Sequence, residues 1–115
     1  MRRGEICLVD LDPVRGAEAS KRRPAVIVSN DGANVTAPRL GRGVVTVVPV
    51  TSNVERIYPF QVLLEAAATG LQRDSKAQAE QIRWVAVERI GTRVAVVPAS
   101  VMTQLDEALR LHLSL

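Results

Sequence analysis

The chain is poor in the residues that carry most enzyme chemistry. It has one histidine, one cysteine and one each of Trp, Tyr and Phe in 115 residues. A single thiol closes no internal disulfide, which agrees with a reducing compartment. One imidazole and one thiolate make no zinc constellation of His and Cys. His112, between Leu111 and Leu113, reads as a partly exposed helix residue rather than a catalytic acid or base. Cys7 has apolar strand neighbours and reads as an inert buried thiol. No G-x-S-x-G, P-loop or G-x-G-x-x-G is present. No apolar run approaches the roughly 18 residues of a membrane span. The basic start, Arg2 and Arg3, leads into a stretch broken by Glu5, Asp10 and Asp12, so no signal peptide is expected. Together these absences point to a cytoplasmic protein with no metal, no cofactor and no membrane partner.

What the chain does have is aliphatic. Hydrophobic residues make up 47% and charged residues 23%, a balance that excludes disorder. With so few aromatics the core must come from Val, Ile, Leu and Ala, and the β-branched share favours strands. The length suits one compact domain, residues 1–115, with a single core. The net charge of +3 arises in the first half, in Arg2, Arg3, Arg15, Lys21, Arg22, Arg23, Arg39, Arg42 and Arg56, against six acidic residues there. Such an excess suggests an anionic partner, although a charge run is more commonly a solvated face.

Strands are expected at 5–11, 24–29, 43–51 and 59–65, with a short one at 92–97 after a turn at Gly91. Residues 76–83 fit either strand or helix. Pro49 suggests an edge or a bulge in the third strand. Two long polar loops are expected, 12–23 and 30–43. Met102, Leu105, Ala108, Leu109 and Leu113 recur at helical spacing, which predicts a terminal helix entered after Pro98 and capped near Ser100. The class is mostly β (α+β), a small barrel or curled sheet with a C-terminal helix.

The candidate site lies at the junctions. Arg23 stands where the first loop enters the second strand, held extended by Pro24. Thr51 ends the third strand and opens the cluster Thr51-Ser52-Asn53. Glu18 sits in the first loop, and Glu80 and Gln81 follow the fourth strand. Taken singly, each has an ordinary structural explanation.

Together, the segments RRGEICLVDLDPVRGAEASKRRPAVIVSN, VVTVVPVTSN, RDSKAQAEQIR and DEALRLHL resemble the MazF/PemK toxins, in order and over nearly the whole chain. The resemblance implies a small SH3-like barrel, a homodimer and a toxin–antitoxin endoribonuclease. Such an enzyme cuts single-stranded RNA (mRNA, tRNA or rRNA) at short motifs and is blocked by a cognate antitoxin. By position it implies Arg23 as the catalytic arginine and Thr51 as its hydroxyl partner, with Glu18, Ser52, Asn53, Glu80 and Gln81 lining an RNA groove.

The chemistry fits. RNA brings its own nucleophile, the 2′-OH, so the protein has to orient it and stabilise charge on the phosphoryl oxygens. An arginine fork grips two such oxygens, and a threonine hydroxyl donates another hydrogen bond. Arginine is a poor general base, so the proton acceptor is left open, with Glu18 a candidate. Cys7, Ala19 and Trp84 depart from the family pattern, and Trp84 is read as a packing residue, with base stacking the lesser alternative. Two rival functions remain at this level. One is a CcdB-like toxin that binds and poisons DNA gyrase; the other is a catalytically silent RNA-binding domain.

Overall fold

The β-branched runs of the sequence form the middle of one antiparallel sheet. The computed structural model describes residues 1–11 and 22–115. Strands β1 (Glu5–Asp10), β2 (Arg22–Ile27) and β3 (Val44–Thr51) lie side by side. β1 meets β2 from Ile6↔Val26 to Asp10↔Arg22, and β2 meets β3 from Ala25↔Pro49 to Ile27↔Val47. With β4 (Gln61–Leu64), β5 (Ser75–Gln78), β6 (Arg83–Ala86) and β7 (Ile90–Val96), the order is β4-β5-β3-β2-β1-β7, and β6 also pairs with β3. The expected class, mostly β with a terminal helix, is the one observed.

Three local expectations are corrected. The second polar loop contains helix α1 (Asp31–Leu40). Its ends carry the signals that its polar composition hides. Asn30 accepts the Ala33 N–H as N-cap, and Gly41 turns left-handed at the C-cap with φ +66°. The ambiguous stretch 76–83 is neither one strand nor one helix. β5 ends at Gln78, a 3₁₀ turn covers Ala79–Gln81, and β6 begins at Arg83. Helix α3 (Ala99–Leu113) has Pro98 as its N-cap with no side-chain cap bond, so Ser100 lies inside the helix. A short helix, α2 (Ala66–Thr69), ends in left-handed Gly70.

Pro49 is neither at an edge nor a defect. The Val28 N–H donates to the Thr46 carbonyl across β2–β3, so by alternation the Pro49 nitrogen faces the opposite side. There β3 passes from β6, paired through Val47↔Arg83, to β5, paired through Val50↔Ala77. The missing N–H falls in the gap between partners.

Each face of the sheet has its own apolar layer, so the expected single core is divided. One layer joins Ile6, Val26, Val48, Val50, Val62 and Leu64 to Met102, Leu105 and Ala108 of α3. The other joins Cys7, Val9, Ala25, Ile27, Val45, Val47 and Val85 to Ala37 of α1. Leu109 packs at the margin of the first, while Leu113 is exposed. Burial pushes the Cys7 thiol above its usual range. Trp84 is 68% exposed, which overturns its packing assignment. On β6, Val85 turns inward and so sends its neighbour out. Among the described residues no helix is long and apolar enough to cross a membrane.

Candidate active site

Registers fix the site before any side chain is considered. In an antiparallel ladder, residues directly opposite one another share a face. Val9 faces Arg23, Thr51 faces Lys76, and Lys76 faces Leu63. Continuing the β2–β3 register two residues past Ala25↔Pro49 sets Arg23 opposite Thr51. The result is one row, Arg23–Thr51–Lys76, across three neighbouring strands. It lies at the end of β2 and β3 where their mutual ladder has stopped.

An open cleft of about 1010 Å³ occupies this end of the sheet. Arg23, Pro24, Thr51 and Ser52 form one part of its lining, and Gln72, Arg73, Ser75 and Gln78 another. Arg23 is exposed and Thr51 partly so. Thr51 Oγ1 accepts the Asn53 N–H at 3.3 Å. The hydroxyl proton of Thr51 is thereby left to donate outward. Asn53 Oδ1 accepts the Glu55 N–H at 3.3 Å, and so the chain leaving Thr51 folds back on itself.

Arg73 enters from a tight structure after β4. Gly70, at φ +90°, reverses the chain. Asp74 accepts the Ala66 N–H at 2.8 Å, and Thr69 Oγ1 accepts from Leu71 at 3.2 Å. Arg73 and Gln78 were not singled out from sequence. Their only signal was membership of the segment RDSKAQAEQIR.

The cleft unites Arg23, Thr51 and Ser52, but not every candidate. Asn53 is exposed and bonded through its N–H to Thr51, outside the lining. Gln81 is exposed on the 3₁₀ turn. Glu80 accepts from the Gln61 amide at 2.6 Å through one oxygen, while its other oxygen is buried without a partner among the described residues. Glu18 and Ala19 lie outside the described residues. Arg22, next to Arg23, points elsewhere. Its guanidinium lies over Gly91 of β7, where an added Cβ would stand 2.5 Å from Nη1. Among the described residues no three His, Cys, Asp or Glu side chains converge as a metal site.

These features define a small antiparallel β protein with a cationic, hydroxyl-lined cleft at one end of its sheet. The chain belongs to the PemK-like, MazF-like toxins of type II toxin–antitoxin systems, whose family model matches residues 2–113. It is 67% identical over 115 residues to the endoribonuclease MazF9 of Mycobacterium tuberculosis, covering 100% of this chain and 98% of that one. The endoribonuclease EndoA of Bacillus subtilis is 30% identical over 116 residues, covering 100% and 96%. Among solved structures, the MazE–MazF crystal structure (Form II) from Deinococcus radiodurans superposes with a TM-score of 0.80 at 26% identity, covering 100% of this chain and 96% of that one. The family match and these relatives overturn the CcdB-like alternative.

Proposed function

We propose that this chain is a metal-independent endoribonuclease that cuts single-stranded RNA by attack of the 2′-OH on the adjacent phosphorus. The observation that carries the reading is the meeting of Arg23, Thr51 and Ser52 in one cleft, in a chain two-thirds identical to a relative named as an endoribonuclease. In the reaction the 2′-oxygen bonds to phosphorus and the bond to the 5′-oxygen breaks. The 2′ proton passes to a base and the leaving 5′-oxygen gains a proton. The products are a cyclic 2′,3′-phosphate and a 5′-OH.

Arg23 supplies a fork to two phosphoryl oxygens, and Thr51 donates its remaining proton to the charge building there. Arg73, on the other part of the lining, offers a second cation to a neighbouring phosphate. Ser52, Asn53, Glu80 and Gln81 are assigned to RNA binding, with Glu80 held by Gln61. Glu18 is the candidate proton acceptor. The enzyme acts in the cytoplasm as a single domain, paired as a homodimer, and a cognate antitoxin blocks it. Pairing is supported by β7, an outer strand of the sheet with exposed Val94 and Val96.

The deciding experiment incubates purified protein with a short single-stranded RNA in excess EDTA. Cleavage leaving a cyclic phosphate and a 5′-OH is expected. Binding without cleavage would mean the catalytically silent alternative, and cleavage restored only by added magnesium would overturn the mechanism. Sedimentation at micromolar concentration is expected to give about twice the chain mass of 12.5 kDa, and a fully active monomer would remove the dimer.

A further inference from the structure

Lysine is almost never buried without a partner. Lys76 is nonetheless only 8% exposed, and the ion pairs among the described residues do not include it. Its ammonium donates to the Arg56 carbonyl at 2.6 Å, a charge-assisted bond that crosses from β5 to the loop after Thr51.

That loop, residues 52–60, is bonded along its length. Asn53 donates back to Thr51 Oγ1, Lys76 holds Arg56 in the middle, and the Tyr58 N–H donates to Gln61 Oε1 at 3.1 Å. Tyr58 and Phe60 stack with ring centroids 5.3 Å apart. Lys76 is also the registered cross-strand neighbour of Thr51. One residue therefore pairs through its backbone with the strand end that carries Thr51 and holds by its side chain the loop whose Asn53 N–H bonds the Thr51 hydroxyl.

We propose that Lys76 is a positioning residue for the cleft: its buried ammonium pins the 52–60 loop so that the Thr51 hydroxyl keeps its proton aimed at substrate. The proposal rests on the reading of this cleft as an RNA-cleaving site. A buried cation held for this purpose carries a desolvation cost that an apolar residue of similar size avoids. Stability and activity are therefore expected to move apart when it is replaced.

Lys76→Met and Lys76→Arg in the full chain test this through three readouts. In Lys76→Met, amide hydrogen exchange in residues 52–60 rises on the order of tenfold, as expected for loss of one charge-assisted bond, while exchange in β1 and β2 stays unchanged. Its Tm stays level or rises. Single-turnover RNA cleavage falls on the order of tenfold or more, whereas affinity for a non-cleavable 2′-deoxy analogue changes less than about threefold, because Lys76 does not line the cleft. Lys76→Arg, which keeps charge and donor, restores slow exchange and most of the rate. Wild-type exchange in Lys76→Met overturns the proposal, and so does a rate that falls only in step with a lost folded fraction. If the wild type cuts no RNA, the functional reading fails separately. Exchange then decides the anchor alone: faster exchange in Lys76→Met upholds it and unchanged exchange overturns it.

Discussion

The two faces of the sheet are made from the same strands yet end differently. The face under α3 stays apolar from Ile6 through Val50 and Leu64 to Leu105. The opposite face begins equally apolar, with Val9, Ala25, Ile27 and Val47, then gives way to exposed Arg23 and half-buried Thr51. The change comes where the β2–β3 ladder stops. Inside the ladder, a polar side chain on a covered face needs a buried partner. Past its end, the same alternation presents polar groups to solvent at fixed spacing. A rigid core thus aims a site it does not contain.

The largest expected effect separates Arg23 from its neighbour. Alternation sends Arg22 and Arg23 to opposite faces, with Arg22 over Gly91 and Arg23 in the cleft. Arg23→Ala should slow single-turnover RNA cleavage by about a hundredfold to a thousandfold. Arg23→Lys should also be badly impaired, because it keeps the charge but loses the fork. Arg22→Ala should weaken binding modestly and spare the rate. Equal effects at the two positions would break the comparison between faces.

On the α3 face the expected loss is in stability. Leu105 is fully buried, so Leu105→Ala should lower unfolding free energy by about 2–5 kcal/mol in denaturant titration. Cleavage per folded molecule should not change. Trp84→Ala, at an exposed position, should stay within about 0.5 kcal/mol of wild type. A large loss there would restore the packing role that exposure denies.

How much of this was legible before the structure depended on where the information lay. β1, β2 and β3 could be read because their β-branched runs match the strand period. The terminal helix could be read from Met102, Leu105 and Ala108. Helix α1 could not. It turns only Asn34 and Ala37 fully inward, and it contains Gly32, two β-branched residues and Pro38, all poor helix formers. Its anchor is polar: the Asn34 amide donates to the Ser29 carbonyl at 2.8 Å, and Ser29 Oγ donates to Asn34 Oδ1 and accepts from the Thr46 N–H. No hydrophobic pattern reports such a network. In the cleft, Arg23, Thr51 and Ser52 were accessible through strand ends and family resemblance. Arg73 was not, because the Gly70 turn brings it to the cleft, and neither was Lys76 beneath it, because cross-strand neighbours are set by register. Asn30→Ala checks this account of α1. Removing its N-cap should cost about 0.5–2 kcal/mol, far more than an exposed loop substitution would.

The smallest effect is electrostatic and lies where α1 meets the N-terminus. Asp31 Oδ1 accepts the Arg3 N–H at 2.7 Å. This bond, helped by the Asn34 amide and the charges of Arg2 and Arg3, holds the carboxyl below the usual aspartate value of about 3.9. A depressed folded value means that the unfolded chain takes up the proton first as pH falls. The contribution is therefore complete above the unfolded value and is lost as pH drops through the lower folded one. Asp31→Asn removes the titration, so its stability should fall less steeply than that of wild type between about pH 5 and pH 3. Glu5 acts in the same direction in both proteins. Burial pushes its carboxyl up, but the Arg2 N–H and Arg93 outweigh this and leave it lowered, so the variant should keep part of the slope. Chemical denaturation at several pH values would measure the difference. Parallel curves would show that Asp31 acts through its place in the first turn of α1 rather than through its charge.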